Sequence, residues 1–459
     1  MDKNKLIVYF LLLTFGLALS FFTITSNLDF KITASLIFLL IFIPTLIKPE
    51  IGLVIIIVSM LFSPEVILGK TASREITLRI EDIFLLVVIL ASLIKTTFTK
   101  DIGGIFKTKL TLPFFLYLGA CVLSTLLASI SSDMKIRNSF FSILKYLEYF
   151  LFFLIAKDNM KTLKQAKVFV AIFLFVSLIV AFYSNVFVQK QLESGAEFFR
   201  VAPPVETRKG GEAGTLGGYL VFMMAIAAGL LLYLRPLSIK IFLICLIALM
   251  FRPFLYTLSR GSYLAFFPAI FALVFFSKKI TFAYASVFFL IIIVLFMPPM
   301  VKKRISETII AKQDVQKSYM ELEVSPKERI ESYKNVLFKR FPASPIFGYG
   351  VGRYFIDGQI FLTLCEVGLL GLIFFIWVLV RLFREARKVF YTALVKNDDF
   401  AKGLSVGFLS GFVGLLFHSL SANTFIIIRV MEPFWFMAAI LICLPQLMEQ
   451  EEAAIKETG

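Results

Sequence analysis

Arginine is the residue type whose placement in this chain most suggests chemistry, and one aspartate accompanies it. Arg260 stands in Ser259-Arg260-Gly261 at the start of an apolar run. A guanidinium offers bidentate donors and never deprotonates, which suits a diphosphate, and the glycine beside it lets a bulky head group approach. The competing reading is an arginine snorkelling to lipid head groups. Asp357 closes the segment Ser344-Pro-Ile-Phe-Gly-Tyr-Gly-Val-Gly-Arg-Tyr-Phe-Ile-Asp357. A carboxylate there accepts the proton of an attacking hydroxyl or holds that hydroxyl in place. Equally, an aspartate before Gly358-Gln359 caps the following helix. Arg329, Arg340 and Arg353 lie in the same polar stretch and are further candidates for binding an anion.

Arg200 and Arg208 precede the glycine cluster Gly210-Gly-Glu-Ala-Gly-Thr-Leu-Gly-Gly-Tyr219. They read as substrate-binding groups or as solvated loop charges. Arg252 lies within the apolar run Leu249-Met-Phe-Arg252-Pro-Phe, where a charge is costly and faces a cavity or a partner. His418, near the end of another run, is a substrate-binding candidate or a hydrogen bonder between helices. Lys145 and Glu148, three residues apart, read as a self-neutralising pair on one helix.

These groups are set in a chain that is 59% hydrophobic and 17% charged, with 54 phenylalanines and mean hydropathy +0.88. A soluble domain is about half apolar and about a quarter charged. Apolar runs of the length that crosses about 30 Å of hydrocarbon recur throughout. About fourteen spans are expected, at 6–24, 32–47, 50–66, 82–95, 111–130, 139–156, 167–186, 215–234, 240–258, 261–277, 280–300, 359–380, 403–421 and 428–445. The expectation is therefore an all-α polytopic integral membrane protein, with residues 1–459 as a single transmembrane domain. The start of the chain reads as an uncleaved first span.

The net charge of +16 is partly the lysine and arginine excess of cytoplasmic loops, and no nucleic-acid partner is inferred from it. Placing Met1 in the cytoplasm puts the short basic segments 95–109, 157–167, 235–240, 278–279 and 381–402 there too. Residues 187–214, with the arginine and glycine cluster, and 301–358 then face outward. The second of these is the one long polar stretch, and it carries eleven Lys and Arg. Within it, Ser325-Pro-Lys-Glu328 reads as a capping box with proline at the first helical position. The helix that follows should run to about Phe341, with Ile330, Tyr333, Leu337 and Phe341 on an apolar face laid on the bilayer. The four cysteines read as small core residues, and the single histidine rules out a His-rich metal site. Gly403, Gly407 and Gly411 form small-xxx-small steps for helix packing. No internal repeat is visible.

The order Arg329, Tyr333, Ser344-Pro-Ile-Phe-Gly-Tyr-Gly-Val-Gly, Asp357 and Glu366-Val-Gly-Leu-Leu-Gly371 resembles the O-antigen ligase and polymerase superfamily. Ser259-Arg260-Gly261 and the Gly210–Tyr219 cluster resemble that family's two earlier motifs, and the three occur in its order over roughly residues 200–375. The interval from Arg200 to Gly211 resembles the Arg-x10-Gly spacing of its polymerases. Ligases of the family carry a His-Asn pair nine residues before the Glu-x-Gly step. Asp357 and Gly358 stand there instead, which is closer to the polymerase branch.

The resemblance implies a GT-C-like glycosyltransferase in the cytoplasmic (inner) membrane of a bacterium, with its active site facing the periplasm or exterior. The implied substrates are an undecaprenyl-diphosphate-linked glycan donor and acceptor, with a chain-length regulator as a possible protein partner and no cofactor or metal. By the same resemblance Asp357 and Arg260 are the catalytic residues. Arg200, Arg208, Arg252, Arg329, Arg340, Arg353 and His418 complete the set as substrate-binding candidates. A lipid-linked oligosaccharide flippase, a ligase delivering glycan to lipid A core or protein, and an adhesion or scaffold protein are the alternatives.

Overall fold

The computed structural model describes residues 42–458, except 43, 46, 64, 71–74, 100–105, 132–135, 206–211 and 310–325. The expected span at 6–24 lies outside these residues, and that at 32–47 largely so. Among the described residues, nine helices are long and apolar enough to cross a membrane.

The chain runs through α1 (Pro49–Ser59), a hairpin of β1 (Glu65–Lys70) and β2 (Glu75–Arg79), α2 (Ile80–Thr99), α3 (Thr111–Ser131), α4 (Ile136–Asn159) and α5 (Leu163–Glu193). It continues through α6 (Ala213–Tyr233), α7 (Leu237–Tyr256), α8 (Arg260–Ser277), α9 (Ile280–Leu295), α10 (Pro299–Ile309) and α11 (Pro326–Asn335). It ends in α12 (Gln359–Val395), α13 (Asp399–His418) and α14 (Ile428–Thr458). Among the described residues the fold is all-α apart from the antiparallel hairpin, which pairs Glu65 with Arg79 and carries an irregularity between Ile67 and Gly69.

Local sequence explains three of the helix starts. Thr162 and Gln165 form a reciprocal capping box at the start of α5. Ser259 accepts the Ser262 N–H at the start of α8, and Asp398 accepts the Ala401 N–H at the start of α13. The packed centre is α6, α13 and α14. A Cβ at Gly229 would lie 2.4 Å from Gly403 O and Gly407 N, so the glycine steps of α13 let it meet the α6 backbone. Phe222, Phe408, Phe412 and Phe434 interlock there, with Phe412 and Phe434 at 5.1 Å.

Several expected boundaries move. The run 50–66 is no single span: α1 has 11 residues, about 16 Å at helical rise, and the chain enters the hairpin at Glu65. The helix at 167–186 extends as α5 to Glu193, so the loop expected from 187 begins at Ser194. The basic segment after 380 continues α12 to Val395. Cys121, Cys365 and Cys443 are buried, whereas Cys245 is exposed on α7.

The amphipathic helix differs most. Its proline start holds, while Ser325 lies outside the described residues. After α11 a π-helical turn over Val336–Arg340 and one further turn to Ala343 rotate the helix face. The expected apolar face therefore splits. Tyr333 and Phe341 pack inward with Val336, Ile356 and Leu362, and Ile330, Leu337 and Phe338 remain exposed.

Candidate functional site

The end of the bundle opposite the Arg235–Asp399 and Lys109–Glu385 ion pairs gathers the sequence motifs. It is formed by the C-terminal ends of α5, α7 and α13, the N-terminal ends of α6, α8, α12 and α14, and the segments that join them.

Arg260 is the first residue of α8 and half-buried. Arg200 Nε donates to Thr257 O at 3.1 Å, and Val201 N donates to Tyr256 O at 3.0 Å, which fastens the segment after α5 to the end of α7. Arg304 Nε, from α10, donates to Leu258 O at 3.3 Å. Arg200 and Arg304, from two separate elements, thus bond the carbonyls of the turn that ends in Arg260. Capping the last carbonyls of α7 suits them electrostatically, since a helix C-terminus favours cations. Arg304 was not singled out by sequence; the only signal was its place in Lys302-Lys303-Arg304 after a proline pair.

A second group surrounds Asp357. Arg329 Nε lies 3.1 Å from Asp357 Oδ2. Tyr333 stacks on Phe361 at 4.0 Å and donates its hydroxyl to Leu420 O at 2.9 Å. Burial raises the Tyr333 phenol above its usual range, which keeps it a donor. The residue before α12 is Gly358, with φ 96° and no side-chain cap. The carboxylate of Asp357 turns to Arg329 instead, so the helix-cap reading of Asp357 does not describe this structure.

The glycine loop is held against a break in α12. Gly368 takes φ 69° and ψ −167°, a region essentially restricted to glycine. The break frees Leu369 N to reach Pro345 O at 2.8 Å and Leu370 N to reach Ile346 O at 3.3 Å. Buried Glu366 accepts the Gly352 N–H at 2.7 Å through Oε1, and its carbonyl accepts Gly350 N–H and the Ser124 hydroxyl. Thr125 accepts the Val351 N–H and Ser139 donates to Val351 O. The Glu-x-Gly step is thus a lock for the loop that carries Arg353. Arg340 lies 3.9 Å above the Tyr354 ring, and Arg353 lies 5.5 Å from the same ring, both within cation–π range.

Arg252 donates to Gln189 Oε1 at 2.9 Å, a bond between α7 and α5. Arg208 lies outside the described residues. His418 is buried between Ser262 and Thr424. Lys145 pairs with Asp82 of α2 at 3.5 Å rather than with Glu148, because the two helices face each other there. Sequence reasoning also missed Arg429, buried on α14, which donates to Leu61, Ser63 and Pro204 carbonyls.

Residues 245–376 match the family model described as O-antigen ligase. Over that segment the match supports the resemblance to the O-antigen ligase and polymerase superfamily. The matched segment runs from α7 into α12 and contains Arg260, Arg304, Arg329, Arg340, Arg353, Asp357 and Glu366. Arg200 and His418 join the matched segment from outside it, through hydrogen bonds to Thr257 and Ser262. No curated protein matches the chain.

Proposed function

We propose that this protein is a membrane glycosyltransferase that polymerises lipid-diphosphate-linked oligosaccharide repeat units on the outer face of a bacterial cytoplasmic membrane. The observation that carries this reading is the placement of the Arg329–Asp357 pair and the Arg200–Arg260–Arg304 group at one end of the bundle. A single turn, 419–424, supports the first and borders the second. Gln359 N donates to Ser419 O at 2.8 Å, and Asn423 donates to Ile356 O at 2.9 Å. A Cβ on Gly261, beside Arg260, would lie 2.1 Å from Ser421 Oγ.

In the proposed reaction a sugar hydroxyl of the acceptor attacks the anomeric carbon of the donor. The new C–O bond forms as the bond to the diphosphate oxygen breaks, and the hydroxyl proton passes to Asp357. The lipid diphosphate leaves with one more negative charge than it held as an ester. Fixed guanidinium groups stabilise that developing charge more than the ground state. Arg260 with Arg200 and Arg304 holds the diphosphate. Arg329 occupies Oδ2 of Asp357 and so presents Oδ1 to the acceptor. The aspartate at 357, in place of the histidine of ligases, supports the polymerase branch.

Purified protein reconstituted in liposomes with undecaprenyl-diphosphate-linked repeat units tests the reading. A ladder of lipid-linked glycans, with release of undecaprenyl diphosphate, is expected. Transfer only to an added lipid A core or protein acceptor makes it a ligase, and transbilayer movement without new bonds makes it a flippase.

A further inference from the structure

His418 is fully buried at the last position of α13. Its Nδ1 lies 2.8 Å from Thr424 Oγ1, and its Nε2 lies 3.3 Å from Ser262 Oγ. Ser262 Oγ in turn donates to Ser259 Oγ at 2.9 Å. With that hydrogen committed, Thr424 donates to Nδ1 and Nε2 carries the ring hydrogen facing Ser262, with the Gly214 backbone of α6 a further partner of the ring. The chain ends at Ser259, whose hydroxyl caps α8 one residue before Arg260.

The other side of the ring belongs to the Asp357 group. His418 opens the turn whose carbonyls at Ser419 and Leu420 accept Gln359 N–H and the Tyr333 hydroxyl. Thr424 lies next to Phe425, whose N–H donates to Gln359 Oε1 at 3.2 Å. There is no spare room around the ring: a Cβ on Gly218 of α6 would lie 3.2 Å from His418 Cε1. An imidazole in an apolar bundle costs free energy unless both nitrogens are bonded. An apolar side chain at this position would carry no such requirement.

We infer that His418 is a positioning residue that fixes the Arg260 end of α8 relative to the segment carrying Asp357. It touches neither side chain, and its burial keeps it from substrate. It acts by joining Ser262 on α8 to Thr424 beyond the turn, using both ring nitrogens. The inference rests on Arg260 as a diphosphate-binding group.

The test uses full-length protein in liposomes, with undecaprenyl diphosphate as the binding probe and chain elongation as a second readout. Four proteins are compared: wild type, His418→Phe, Arg260→Lys and the double variant. His418→Phe is expected to weaken probe binding about tenfold, within the range of coupling between linked groups. In the Arg260→Lys background that loss should largely disappear. His418→Gln, which keeps a donor and an acceptor, should recover part of it and serves in the same cycle where the phenylalanine variant fails to fold. Wild-type binding by His418→Phe, or losses that multiply in full in the double variant, overturns the inference. A wild type that binds the probe but elongates nothing removes the polymerase reading and leaves the cycle to decide His418. A wild type that does not bind the probe overturns both.

Discussion

Arg329 Nε and Asp357 Oδ2 lie 3.1 Å apart, joining positions 28 residues apart in the chain. The side chains are 22% and 18% exposed, so the pair is screened from bulk solvent yet open at the end of the bundle. The contact ties α11 to the start of α12 and fixes the carboxylate by one oxygen. A helix cap would have pointed that carboxylate into α12 instead.

The Asp357 role separates cleanly by substitution. Asparagine caps a helix about as well as aspartate but cannot take the proton of the acceptor. Asp357→Asn and Asp357→Ala should both give single-unit or very short glycan at normal membrane levels. Polymer length at matched expression checks this. Full-length polymer from Asp357→Asn would remove the proton-transfer role.

For Arg260, charge alone should not suffice. Lysine keeps the charge and loses the planar fork, so Arg260→Lys should lower elongation on the order of 10²-fold, as removal of one preorganised donor does. Insertion should be unchanged, because the residue lies at a helix end. Wild-type glycan length in a normally expressed variant would reduce Arg260 to a head-group anchor.

Gly368→Ala tests the loop lock. Alanine meets a glycine-only conformation there, which costs on the order of 1–3 kcal/mol, and its Cβ would lie 2.3 Å from Ile346 O. The variant should unfold at lower temperature in detergent and lose elongation. Unchanged melting and activity would mean that the break in α12 does not hold the loop.

Many of the spans and the motif order were legible because apolar run length and residue type carry them. The partners were not. Lys145 reads as the neighbour of Glu148 on one helix, but the packing of α2 against α4 supplies Asp82. Arg304 sits in a basic cluster with nothing to distinguish it until α10 folds back onto Leu258. A π-helical turn at Val336–Arg340 shifts the face of α11, and no periodicity count anticipates an inserted residue. The role of Glu366 depends on Gly352 arriving from another segment.

Topology is checked by thiol labelling in a variant lacking the four native cysteines. Lys334→Cys on α11 should react with a membrane-impermeant reagent in intact cells, and Lys388→Cys on α12 only after lysis. Both side chains are exposed, so accessibility differs by side of the membrane alone. The reverse pattern would place the candidate site in the cytoplasm and remove the outer-face reaction.

The most direct measurement is the chain length and carrier of surface glycan in a cell lacking this protein. A polymerase predicts export of glycan that stops at a single repeat unit, with length restored by the wild-type chain and not by Asp357→Asn. Long chains accumulating on the lipid carrier, or no exported glycan at all, would contradict it and point to a ligase or a flippase respectively.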